Sequence, residues 1–288
     1  MFSLLLKRTW YLATAHLSTL LRVSWAYLLL LLAINIYLSG VLQPSGGFQT
    51  GSYMTEPLEG SDLSLRSLGI LANLIIGLSI AIAYTRRLLI DAQDFFVSFG
   101  IRHIKVAGLQ ILLAIMGLAL MFPLGIIALF SGMFLGPFAI FIGLAMPFVA
   151  LMIIQRFSLV LPAAAIDDTM SLRDSWHATQ GMGWAMAFNA AIAMLAAGCM
   201  VVALFVFFEL AERFLFPDAL FAQFRSAILP MATMLTMVWI FANIHTTCYA
   251  IAREKFANKI LGARQAEQAR LQYEATRALN VANHLKKS

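Results

Sequence analysis

The sequence predicts an all-α integral membrane protein with six transmembrane helices and both termini in the cytoplasm. Three observations predict it. The first is residues 106–155, fifty positions without an Asp, Glu, Lys, Arg or His. As one helix this run would be about 75 Å long at about 1.5 Å per residue. A bilayer's hydrocarbon core is about 30 Å thick, so the run must fold back as a helical hairpin whose charged ends return to one side. The second observation is composition: 61% of the 288 residues are apolar and 12% charged, against about 25% charged in soluble domains. The third is the distribution of Lys and Arg, which places 17 of 20 on one side and leaves Arg66, Arg213 and Arg225 on the other. Such a split marks the cation-rich side as cytoplasmic.

Six apolar segments lie between charged and turn-forming stretches, at residues 23–42, 67–84, 106–130, 133–155, 184–208 and 227–252. Each holds 18 to 26 residues, enough to span with some tilt. Helices satisfy their own backbone hydrogen bonds in lipid, and the weak alternation of a barrel strand is absent.

Residues 1–22 interleave Phe2, Leu5, Trp10, Leu17 and Leu21 with Lys7, Arg8, Thr9 and Thr14, the pattern of an interfacial amphipathic helix. A signal peptide would need a short apolar core followed by an Ala-x-Ala cleavage site. The apolar core here starts near Tyr27 and continues through Asn35 and Tyr37, so an uncleaved first span is expected. The first outside loop, residues 43–62, is rich in Gly, Ser and Pro.

The second span leads into a cytoplasmic connection carrying Arg86, Arg87, Arg102 and Lys105, with an amphipathic stretch through Phe95, Phe96 and Phe99. The hairpin follows. Its turn is expected near Ser131-Gly132, with Gly125, Gly132, Gly136 and Gly143 letting helix backbones approach. Pro123, Pro147 and Pro230 are expected to kink their helices.

Beyond the hairpin, Arg156 and Pro162 precede Ser171-Leu172-Arg173-Asp174-Ser175-Trp176. Ser171 with Asp174 three positions on reads as an N-cap opening a short cytoplasmic helix. Trp176 suits the membrane interface, and Gly181 with Gly183 ends the helix before the fifth span. Ala187, Ala190, Ala191, Ala193, Ala196 and Ala197 give that span a smooth surface. The last outside loop, residues 209–225, mixes Phe214, Phe216, Phe221 and Phe224 with charges. Residues 253–288 form a basic tail, with eight cations and three acids, expected as a helix continuing from the sixth span. The domain reading is therefore 1–22 interfacial helix, 23–252 transmembrane domain and 253–288 cytoplasmic tail.

Polar groups inside the spans are few. Asn35, Asn73, Asn189, Asn243 and His245 are expected to hydrogen-bond between helices. A functional reading makes them the lining of a polar cavity. No Asp, Glu, Lys or Arg falls at mid-membrane, which argues against ion-coupled transport. Cys199 and Cys248 lie at depths differing by roughly 15 Å of helical rise, too far apart for a disulfide. Met231, Met234 and Met237 are soft ligands of the kind Cu(I) prefers. The same spacing is one helix face, and packing is the preferred reading. No catalytic set or nucleotide turn is present, so no enzyme activity, cofactor or metal is expected.

A run of Arg156, Leu159 and Pro162, then Ser171, Leu172, Ser175, Trp176, Thr179 and Gly181, with Arg86 and Leu89 as a looser match, resembles a group of bacterial six-span proteins. These are the YciC-like proteins and the membrane domain found beside some glycerophosphoryl diester phosphodiesterases. The resemblance covers about thirty residues closely and the six-span plan in general. It implies a multi-pass protein of the bacterial cytoplasmic (inner) membrane. It carries no catalysis across, since these 288 residues hold no counterpart of the phosphodiesterase's catalytic barrel.

The functional expectation is a non-enzymatic scaffold or a partner- or lipid-interacting membrane protein. Its candidate cytoplasmic face comprises Arg86, Arg87, Arg102, Lys105, Arg156, Pro162, Ser171, Ser175 and Trp176. Anionic lipid headgroups are the expected partners of the +6 net charge, with other membrane proteins or self-association through the tail also considered. Nucleic acid is not expected, because no recognition motif accompanies the charge. The alternative is a small permease-like transporter of an uncoupled or amphiphilic substrate.

Overall fold

A computed structural model describes residues 1–42, 60–92, 100–136, 139–215 and 219–285. The expected outer loop (43–62, except its last three residues), the stretch through Phe95, Phe96 and Phe99, and Phe216 fall outside the described residues, as do the side chains of the tail from residue 256 onward. Among the described residues the elements are all helical: α1 (Phe2–Ala15), α2 (Leu17–Leu42), α3 (Gly60–Ile90), α4 (Ile101–Leu135), α5 (Ala139–Phe157), α6 (Val160–Ala165), α7 (Leu172–Ala178), α8 (Gly183–Phe214) and α9 (Ala219–Leu285). Six stretches are long and apolar enough to cross a membrane, on α2, α3, α4, α5 with α6, α8 and α9. The protein is thus all-helical and multi-pass.

The third helix is the centre of the bundle. Half of its most apolar window is buried, against 11% for α4 and α8, which turn most of their surface outward. On one side α2, α3 and α9 pack together through Leu20, Tyr27, Leu31, Ile76, Ile80, Tyr84 and Ala242. A second core joins α1, α6, α7, α8 and α9 through Leu5, Leu159, Met182, Met186, Ile244, Cys248 and Tyr249. The face of α8 turned toward this core carries Ala187, Ala190, Ala193 and Ala197, all buried. This second core lies at the end of the bundle where Arg86, Arg102 and Arg156 converge on the α6–α7 segment. We call it the charged end.

The hairpin forms as α4 against α5, but its turn lies beyond Ser131-Gly132. Helix α4 runs on to Leu135 and ends at Gly136, whose φ is +56°. Glycine tolerates that left-handed value, and Pro137, next in the sequence, cannot continue a helix. The close approach is also elsewhere. A Cβ on Gly125, Gly136 or Gly143 would meet nothing within 4 Å, whereas one on Gly117 would sit 3.0 Å from Ile154 Cδ1. Small residues near a turn are read too easily as packing sites; the contact formed where the two helices cross.

The N-terminal helix packs on the bundle. Leu5, Thr9 and Ala13, four apart, are buried, and α1 packs against α8 and α9. Asn189 Nδ2 of α8 donates to Thr9 Oγ1 at 3.1 Å, and Trp239 Nε1 of α9 donates to the Ala13 carbonyl at 3.0 Å. Arg8 pairs with Glu254 at 3.3 Å. An amphipathic stripe reads alike whether its apolar side meets lipid or a groove between helices. Helix α1 ends at Ala15 with His16 as its C-cap, and α2 begins at Leu17.

Candidate functional site at the charged end

The family-like residues assemble around Arg156 at the end of α5. Its guanidinium carbon lies 3.4 Å from the centre of the Trp176 ring. Nη2 donates to the Trp176 carbonyl at 2.8 Å, and Nε to Thr179 Oγ1 at 3.3 Å. Trp176 in turn stacks on Phe157, with ring centroids 5.1 Å apart. Ser175 Oγ donates to the Arg156 carbonyl at 2.6 Å. The carbonyl sits at the C-terminus of α5, where no amide of the helix can reach it. The motif is therefore a clasp that binds the end of α5 to α7.

Helix α7 starts as expected. Ser171 Oγ accepts from the Asp174 amide at 3.1 Å, and Asp174 Oδ2 accepts from the Ser171 amide at 3.1 Å. Ser171 Oγ also donates to Asp174 Oδ2 at 2.6 Å, and this bond, with that from the Ser171 amide, holds the Asp174 carboxyl below its usual range. Gly181 has φ +75° and turns the chain into α8. There Gly183 brings the α8 backbone against α5, since a Cβ would sit 3.0 Å from Arg156 Cδ. Pro162 lies buried in α6.

Two residues that the sequence reading passed over organise this end. Helix α6 closes with Asp167 in the left-handed region (φ +60°), its amide bonded to Ala164 and the Asp168 amide to Ala163 at 2.9 Å. This is a Schellman closure with Asp at the position glycine usually takes. It points the two carboxylates different ways. Asp167 takes a bidentate pair from Arg102 (3.0 and 2.5 Å) and lies 3.6 Å from Arg86, whose Nη1 also donates to the Ala165 carbonyl at 3.2 Å. Hydrogen bonding to Arg102 is the main reason the Asp167 carboxyl sits below its usual range. Asp168 instead accepts from Tyr249 and Arg253 of α9. One turn thus ties α3 and α4 to α9. The available signal was the doublet itself, the only acids between Asp94 and Asp174.

Of the expected cytoplasmic face, Arg86, Arg102, Arg156, Ser171, Ser175 and Trp176 are engaged with other parts of this chain. Arg87 pairs with Asp91 at 3.0 Å, and Lys105 is exposed on α4.

The five intramembrane polar residues do not share one cavity. Asn35 donates to the Ala227 carbonyl at 3.2 Å, and Asn73 donates to Asn35 at 3.3 Å. Asn189 joins Thr9, and Asn243 accepts from Tyr84 at 3.3 Å. Interhelical bonding accounts for Asn35, Asn73, Asn189 and Asn243. Asn73 and His245 do line a cavity, of about 840 Å³, bounded by α3, α4, α6 and α9. It follows α3 from Ile70 to Thr85 and α9 from Leu229 to His245, about 22 Å of helix. Its walls are mainly apolar, with Thr85, Gln110 and His245 toward the charged end. Met234 and Met237 face this space, as does Pro230, while Met231 packs on the α2–α3 core. Asn73 Oδ1 is buried with no hydrogen-bond partner among the described residues. The cavity exists because α3 and α4, successive in the chain, touch little; α4 contributes only Val106 and Gln110 to it. Both cysteines are free.

No family model, no curated protein and no solved structure matches this chain.

Proposed function

We propose that this chain is a non-enzymatic multi-pass protein of the bacterial inner membrane, with both termini cytoplasmic, that binds membrane lipid or another amphiphile. The observation that carries the reading is the 840 Å³ cleft between α3, α4 and α9. Apolar walls with a few polar groups grouped at one end suit a molecule that is itself apolar along most of its length. The cation split supports the orientation. The motif's resemblance to bacterial six-span proteins supports the compartment, and its engagement with itself supports a framework role rather than a catalytic one.

The test is retention of lipid through purification in mild detergent, read by native mass spectrometry. Ala81 lines the cleft, and Ala81→Phe fills open space. We expect wild type to carry a bound lipid mass and Ala81→Phe to lose it while melting at a similar temperature. Wild type free of lipid, or equal retention in both, overturns the reading. Orientation is tested with a membrane-impermeant maleimide in a Cys199→Ala background: Ser171→Cys should react only from the cytoplasmic side.

A second reading, passage of an amphiphile across the membrane, is favoured by the cleft's length. About 22 Å of helix exceeds the roughly 15 Å of one leaflet, and Pro230 interrupts the α9 hydrogen bonds in its wall. Movement of a fluorescent lipid between leaflets of liposomes containing the protein distinguishes passage from binding.

A further inference from the structure

The cleft ends where the cations begin. Thr85 lines it and Arg86 follows; Val106 lines it and Lys105 precedes; Ala165 lines it and accepts the Arg86 guanidinium. Resting on the amphiphile-binding reading, we propose that the occupant is an anionic phospholipid of the leaflet at the charged end. One acyl chain lies in the cleft, and its phosphate sits beside Lys105 and the Arg86–Arg102 pair.

Charge complementarity commits the site to this occupant. Among the described residues, Asp167 is the carboxylate these three cations share, with Arg102 bonded to it, Arg86 at 3.6 Å and Lys105 one turn along α4 within electrostatic reach. Among the described residues the local balance is positive, and its cations adjoin residues that line an apolar space. Lys105 is exposed and precedes the cleft-lining Val106 on α4, and an ammonium meets a phosphate as a point charge. At the same end of the cleft Thr85, Gln110 and His245 offer polar groups to a lipid's ester linkages. Farther in the walls are apolar, as an acyl chain requires. A soluble phosphate would gain nothing from those walls, and a neutral amphiphile would gain nothing from the cations.

The experiment presents purified protein with equimolar phosphatidylglycerol and phosphatidylethanolamine of identical acyl chains and reads bound masses by native mass spectrometry. Glycerol phosphate alone serves as the chain-free probe. Each basic residue near an anionic headgroup contributes about a fivefold preference. We therefore expect phosphatidylglycerol to be retained about fivefold or more over phosphatidylethanolamine, and glycerol phosphate not to be retained. Lys105→Gln should bring the ratio down about fivefold and Lys105→Glu further, through loss of phosphatidylglycerol and with phosphatidylethanolamine retained as in wild type. Equal retention of the two lipids by wild type, an unchanged ratio in both Lys105 variants, or retention of glycerol phosphate comparable to the lipid overturns this assignment. Those outcomes leave the cleft's lipid binding standing; only a wild-type protein that carries neither lipid, or an Ala81→Phe variant that carries both as before, removes that as well.

Discussion

Replacing Arg156 by Lys tests whether the motif at the charged end is a clasp. The substitution keeps the charge and removes the plane. An ammonium cannot lie flat on Trp176 at 3.4 Å while also reaching the Trp176 carbonyl and Thr179 Oγ1, as the guanidinium does. The stack is worth about 1–2 kcal/mol in a partly desolvated setting. A hydrogen bond from a charged donor contributes about 1.5–3 kcal/mol, and Lys should keep one of the two. The net loss is about 2.5–5 kcal/mol, which for a chain of this size lowers the melting temperature by about 5–20 °C. The assay is thermal unfolding in one detergent at one scan rate, beside Arg173→Lys, an exposed arginine on α7 that should melt within a degree or two of wild type. The double variant with Trp176→Leu should cost less than the sum of the two singles, since both remove the same stack. Arg156→Lys melting with wild type refutes the clasp. Loss of bound lipid without loss of stability would refute it differently, by making Arg156 a ligand-binding group.

Three further outcomes follow from the same contacts. The Asp167 carboxyl is held low by Arg102, so its pairing stabilises fully above the unfolded carboxyl value of about 3.9 and is lost as pH falls through the lower folded value. Unfolding measured from pH 6 to pH 3 should steepen below about pH 4, less so in Asp167→Asn; with the side chain 51% exposed the difference is below about 1 kcal/mol. Asn189→Ala should cost about 0.6–2 kcal/mol by removing the bond to Thr9, and proteolysis near α1 should quicken; unchanged cleavage would place α1 off the bundle. Cys199 is exposed and Cys248 fully buried, so a membrane-permeable maleimide should modify Cys199 first, and equal rates would contradict the packing of α9.

Much of the fold was legible because its causes are local. The length of the uncharged run against the bilayer demanded a hairpin, and Ser171 with Asp174 announced the start of α7 through bonds spanning three residues. The site was less legible. Arg156, Ser175, Trp176 and Thr179 stood out as a pattern, yet nothing in their spacing told that they bind one another. Nothing in the sequence sets Asp167 and Asp168 apart from loop acids; the left-handed turn aims them at different helices. The hairpin's contact at Gly117 was indistinguishable from Gly125 until the helices crossed.

The sequence by itself determined that this is a helical membrane protein and how many of its helices are long and apolar enough to cross a membrane. Hydropathy and helix length decide these one segment at a time. Only the tertiary structure decided which face of each span meets protein. It seated α1 against α8 and α9, divided the asparagines between three separate contacts and a cleft, and left α3 and α4 apart. The physical reason is that lipid is as apolar as a helix interior. A buried face and a lipid-facing one therefore carry the same residues, and the burial pattern that exposes a soluble helix's inner side is missing from the chain.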